Sequence, residues 1–170
     1  MVSSRCISGG VVGDSVKSDE QIAVTIAAGH AHEAAFAAYL RECGLRVEAL
    51  SRGFRSTHAQ IRDYAHDVDL DVEGYRCQYK HRHSKLAVFA SRGIRPFVDE
   101  VVKADRTPVD FYILRFGDGT IVVPYAPFEW TIEQRWDGSE RAFKAFYSVE
   151  VSSGVPLETW IASFSSEICP

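Results

Sequence analysis

Residues 67–80, Asp-Val-Asp-Leu-Asp-Val-Glu-Gly-Tyr-Arg-Cys-Gln-Tyr-Lys, constrain this chain more than any other stretch. Val68, Leu70 and Val72 alternate with Asp67, Asp69 and Asp71, the period of a strand with one face buried. Glu73-Gly74 supplies a two-residue turn, because glycine accepts a positive φ at no steric cost. Beyond it Tyr75, Cys77 and Tyr79 alternate with Arg76, Gln78, Lys80 and Arg82. A loop of only Glu73 and Gly74 sets the register of a β-hairpin: Val72 faces Tyr75, Leu70 faces Cys77, Asp69 faces Gln78 and Asp67 faces Lys80. Three carboxylates, an amide and an ammonium then crowd one face of two adjacent strands.

Crowded carboxylates repel, and a divalent cation between them relieves the repulsion. Carboxylate, amide and carbonyl oxygens suit Mg²⁺ or Mn²⁺. A lysine two residues from a ligand reaches the same pocket and can hold or polarise a water. The ordinary alternative is a solvated hairpin face with Asp–Lys pairs across the strands. From Arg76 to Lys85 the chain carries four Lys or Arg, two His and no acid. That local positive patch suits a phosphate backbone, although strand-end charges of this kind are commonly just solvated.

The chain has 170 residues, enough for one domain with a real core, and its 46% apolar and 25% charged residues are globular proportions. A net charge of −4 gives no overall attraction to nucleic acid and leaves phosphate contact to local patches. There is no apolar run long enough for a membrane helix and no recognisable signal peptide, so the expected compartment is the cytoplasm, or association with the nucleoid. Cys6, Cys43, Cys77 and Cys169 match no zinc spacing; Cys43 and Cys77 are expected as small core residues. A rival transition-metal site, His30-x-His32 with His81-x-His83, is disfavoured because residues two apart on a helix diverge.

In chain order, residues 1–18 are expected as a flexible arm, followed by one α/β domain over 19–170. Ser18-x-x-Gln21 looks like a capping box, although Ile22, Val24 and Ile26 also suit a short strand. Gly29 is expected to break that segment. From His30 a helix is clear, with Phe36, Tyr39, Leu40 and Cys43 along one side and Gly44 ending it. Glu33 then falls in the first helical turn, where it would complement the helix dipole if it does nothing else. A strand is expected over 45–50, a basic loop carrying Arg52 and Arg55 over 51–57, and a short helix over 57–66. After the hairpin, 86–104 is expected as helix interrupted near Pro96, 109–116 as a central strand, and 120–125 as its return after Gly117-Asp-Gly119. A short helix over 128–136, a strand over 144–151 and a helix over 157–164 complete the chain. Trp130, Trp136 and Trp160 are expected in the core.

Gly29-x-x-x-Glu33 with Tyr39-Leu40 and Gly44, then Asp69-Leu70, then Gln78-Tyr79-Lys80, resembles the PD-(D/E)XK nuclease superfamily in the resolvase-like or Mrr-like branch. The resemblance covers residues 29–125; residues 126–170 are a variable C-terminal part. It implies a restriction-endonuclease-like core, a mixed β-sheet flanked by helices. It also implies a metal-dependent (Mg²⁺ or Mn²⁺) deoxyribonuclease, an endonuclease acting on DNA, in many members as a homodimer. Asp69 would be the central metal ligand, Gln78 the second, Tyr79 would offer its backbone carbonyl, Lys80 would orient or activate water, and Glu33 would complete the site. Arg76, Arg82, Lys85, Arg52 and Arg55 would contact nucleic acid. Two departures stand out: Gln78 occupies a position usually held by Glu or Asp, and Val68, not proline, precedes Asp69. The alternative within the same fold is an inactive nucleic-acid-binding or partner-binding module.

Overall fold

A computed structural model describes residues 18–49, 68–137 and 141–165. Most of the N-terminal arm, the basic loop with Arg52 and Arg55, the helix expected over 57–66, and Asp67, Cys6 and Cys169 lie outside the described residues.

Helix α1 (Asp19–Glu42) is a single element of 24 residues. Its capping box forms as expected: the Gln21 N–H donates to Ser18 Oγ at 3.3 Å and the Ser18 N–H to Gln21 Oε1 at 3.0 Å. Gly29 does not break it, since one glycine among alanines costs a helix only about 1 kcal/mol. At the C-terminus Gly44 sits at φ +88°, and the Gly44 and Leu45 N–H groups donate to the Arg41 and Leu40 carbonyls. Arg41 Nε and Nη2 then bond the Val47 carbonyl at 3.0 and 2.9 Å, tying the helix to the first strand.

The remaining elements are β1 (Val47–Ala49), β2 (Leu70–Val72), β3 (Tyr75–His81), α2 (Leu86–Arg92), β4 (Phe97–Glu100), α3 (Val101–Arg106), β5 (Phe111–Phe116), β6 (Gly119–Pro124), β7 (Thr131–Asp137), β8 (Ala142–Ser148), β9 (Val155–Pro156) and α4 (Leu157–Ser165). The main sheet runs β1-β2-β3-β5-β6-β9, antiparallel throughout except for the parallel β3–β5 pair. A parallel neighbour requires a crossover, and α2, β4 and α3 make it. A second antiparallel sheet runs β4-β8-β7. The protein is therefore α/β, with a mixed multi-strand sheet and helices.

The main sheet is buried on both faces. Phe36, Ala37 and Leu40 of α1 and Leu157 and Trp160 of α4 pack with Leu70, Val72, Cys77, Tyr79, Ile113 and Val122. Tyr112, Leu114, Phe116, Ile121 and Val123 pack instead with Val98, Ala104, Tyr147 and Val149.

Several expectations are corrected. Residues 97–100 form a strand, not helix, because Val98 is buried and the segment pairs with β8. Residues 131–137 also form a strand, pairing with β8 along its whole length after a 3₁₀ turn at Pro127–Glu129. Tyr39 and Cys43 are exposed; the buried stripe of α1 is Glu33, Phe36, Ala37 and Leu40. Trp160 belongs to the first core cluster and Trp130 packs at the rim of the second, but Trp136 is 55% exposed, edge-on to Phe143 at 5.3 Å. Among the described residues, no helix is long and apolar enough to cross a membrane.

Candidate active site

From Leu70 to Cys77 the hairpin has the register its sequence predicts, but Val68, expected on the same face as Leu70 and Val72, packs in the second core cluster while they lie in the first. Val72 pairs with Tyr75 and Leu70 with Cys77. Glu73 (φ 54°) and Gly74 (φ 89°) both adopt left-handed conformations, as a two-residue hairpin loop of type I′ requires. Two of the acidic side chains serve this local geometry. Asp71 Oδ1 accepts the Gly74 N–H at 2.9 Å, and Glu73 accepts from the Arg46 N–H and side chain. Asp71 is thus spent on the turn.

Asp69, just ahead of β2, is 4% exposed. Its Oδ2 accepts from Gln78 Nε2 at 2.7 Å and from the Tyr79 N–H at 2.8 Å. Alternation along β3 places Gln78 and Lys80 on one face and sends Cys77 and Tyr79 into the core beneath α1, where Tyr79 stacks on Phe36 at 4.8 Å. Glu33 is also buried, and it sits far inside α1, not in the first turn, so the helix dipole does not explain it. It lies 3.8 Å from His30 Nδ1.

Burial pushes the Asp69 carboxyl up to about 7. The Glu33 carboxylate adds to this, the Lys80 ammonium and the Tyr79 N–H oppose it, and Asp99 adds a little more. Gln78 and Tyr79 are thus hydrogen-bonded to Asp69, and Glu33 and Lys80 lie near enough for their charges to act on it.

Asp99 on β4 was not predicted. Lys80 Nζ lies 3.1 Å from its Oδ2, with the carboxylate largely buried. The segment around Asp99 has a helical appearance in sequence, so no register linked it to Lys80. Its one signal is a carboxylate directly after the apolar pair Phe97-Val98.

The predicted nucleic-acid contacts separate. Arg76 lies at the hairpin end of β3, exposed, and its N–H donates to Asp110 Oδ2 at 2.7 Å. Lys85 is exposed at the start of α2. Arg82 is turned inward, with Nη2 donating to the Phe97 carbonyl at 2.8 Å. The histidine pairs do not assemble as a metal site. His32 stacks on His81 at 4.0 Å, His81 meets His83 edge-on at 5.0 Å, and His30 faces Glu33. Burial, then the His32 and His83 charges, lower the His81 pKa.

Among the described residues no group of three or more His, Cys, Asp or Glu side chains converges on a metal position. What converges is the buried Asp69 carboxylate, the Gln78 amide and the Tyr79 N–H, with the buried Glu33 close enough for its charge to act on Asp69. No protein-family model matches the chain, and no characterised protein and no solved structure matches it either.

Proposed function

We propose that this protein is a divalent-metal-dependent nuclease of the PD-(D/E)XK type that hydrolyses phosphodiester bonds in DNA, cutting internally. The observation carrying this reading is the convergence of Gln78 and the Tyr79 N–H on buried Asp69, with Lys80 alongside. The order of helix, three antiparallel strands and a parallel partner for the third supports a restriction-endonuclease-like core.

The donor chemistry fits Mg²⁺ or Mn²⁺. Such ions are commonly held by one or two carboxylates, several waters and substrate phosphates, without a full protein cage. Asp69 and Glu33 would be the carboxylates and Tyr79 the carbonyl donor. Gln78 now turns Nε2 toward Asp69, so its oxygen would bind only after the amide rotates. A bound ion would supply Lewis acidity toward a phosphate oxygen and toward water.

The chain's own residues do the rest. Tyr79 N–H and Gln78 hold Asp69 in a fixed rotamer. Asp99 holds the Lys80 ammonium, whose remaining N–H donors orient a water toward the phosphorus and offset charge as it builds on the phosphate. Burial around Asp69 keeps these interactions strong.

The test is cleavage of labelled single-stranded, duplex and branched DNA with Mg²⁺, Mn²⁺ or EDTA, beside folded Lys80→Ala. Metal-dependent cutting that Lys80→Ala loses supports the reading. A wild type that binds DNA in a salt-sensitive way without cutting it supports the inactive binding module instead.

A further inference from the structure

Past Lys80 and Asp99 the charged face continues into an open cleft of about 680 Å³ bounded by the end of β3, α2, β4 and β7. Phe89, Phe97 and Phe116 line it, with the guanidiniums of Arg82, Arg95 and Arg135. Its two carboxylates are engaged: Glu150 pairs with Arg95 at 2.9 Å, and Glu133 accepts from Ser148 Oγ at 2.6 Å. Arg82 and Arg135 meet at one residue. Arg82 bonds the Phe97 carbonyl, and the Arg135 guanidinium lies 4.3 Å over the Phe97 ring. Among the described residues no carboxylate forms an ion pair with Arg135 or Arg82. Two like charges are thus held beside one concave space large enough for a nucleotide. Guanidiniums present forked donors that match phosphate oxygens. Arg82 follows the last residue of β3, two residues beyond Lys80, roughly 7 Å of extended chain and on the order of one nucleotide step.

We propose that this cleft is a phosphate subsite in which Arg82 and Arg135 together grip one phosphoryl group. Taking that group to be a backbone phosphate next to the bond being cut rests on the nuclease reading. A free mononucleotide would offer the same chemistry, and the subsite itself does not depend on cutting.

The test is binding in EDTA, where no cutting occurs. Two probes are a fluorescein-labelled duplex, followed by anisotropy, and a deoxynucleoside monophosphate, followed by calorimetry. Arg135→Gln is the informative variant, because Arg135 is exposed and its loss leaves Arg82 anchoring β4. Arg106→Gln, an exposed arginine on α3 outside the cleft lining, controls for net charge. The expected result is that Arg135→Gln binds the duplex about tenfold more weakly and loses about one unit of salt slope, while Arg106→Gln stays close to wild type. A loss confined to the duplex assigns the subsite to the nucleic-acid backbone; a loss shared by the mononucleotide assigns it to free nucleotide. Equal effects of the two variants, or a wild type that binds neither probe, overturn the subsite. A wild type that never cuts but binds through Arg135 retires the nuclease reading and leaves the subsite standing.

Discussion

Asp69 is held in a place that opposes its charge and by partners that need its oxygens. Its folded pKa, raised from 3.8 to about 7, means the folded chain holds that proton more tightly than the unfolded chain. Stability therefore falls as pH rises from about 4 to about 7 and is level above that. Glu33 from α1 and Asp99 from β4 add to the repulsion, and Lys80 from β3 relieves part of it. Asp69→Asn removes the charge and keeps an oxygen acceptor for Gln78 and Tyr79. Without metal it is expected to melt above wild type at pH 8, by an effect on the order of a few kcal/mol, with the advantage shrinking to nothing near pH 4. Thermal melts across that range check this; an advantage independent of pH would rule out burial of the charge as its cause. If Asp69 is a metal ligand, Mg²⁺ raises the wild-type melting temperature more at pH 8 than at pH 5, and not at all in Asp69→Asn. Asp99→Asn frees the ammonium of Lys80 without touching Asp69 directly. On the nuclease reading, in which Asp99 positions Lys80, this variant is expected to lower kcat by about 10- to 100-fold while leaving KM near wild type. A circular dichroism spectrum and thermal melt matching wild type, taken beside the kinetics, separate this from a loss of folded protein, which would also lower apparent kcat and leave KM unchanged.

At the scale of elements, α1 and the hairpin give the sharpest tests. A Cβ built on Gly29 meets nothing within 4 Å. Gly29→Ala is therefore expected to stabilise the protein by about 0.5–1 kcal/mol, measured by urea unfolding. A destabilisation would mean that α1 is interrupted there after all. Gly74 has equal space but a φ of +89°, so Gly74→Ala is expected to cost about 1–2 kcal/mol. Because that turn sets the register placing Asp69 beside Gln78, a slip would show as lost activity beyond the lost stability. The hairpin was legible in sequence because its turn and its alternation are local. Strands β4 and β7 were not. Each is defined by pairing with β8, remote in sequence from β4, and the neighbouring apolar residues suit a helix equally well. Propensity over a few residues cannot outweigh a partner strand that the window does not contain.

At the scale of the molecule, α1 and α4 cover one face of the main sheet, and the crossover and second sheet supply buried groups to the other. Cys77 lies inside the first of these layers, where burial pushes its thiol up to about 12, whereas Cys43 is exposed at the end of α1. Under native conditions a thiol-alkylating reagent is expected to modify Cys43 quickly. Cys77 should react only at the rate at which the core opens. Peptide mass spectrometry with and without denaturant reads this directly, and rapid native labelling of Cys77 would contradict the packing described.

The amino-acid sequence by itself determined the hairpin, its register, the capping of α1 and the adjacency of Asp69, Gln78 and Lys80. Those features rest on turn chemistry and on a two-residue period, which act between near neighbours. The tertiary structure alone decided that Glu33 is a buried mid-helix carboxylate, that Asp99 is the partner of Lys80, and that Arg82 and Arg135 share a cleft. Those relations join segments far apart in the chain, and only the packing of the crossover and second sheet against the main sheet brings them together.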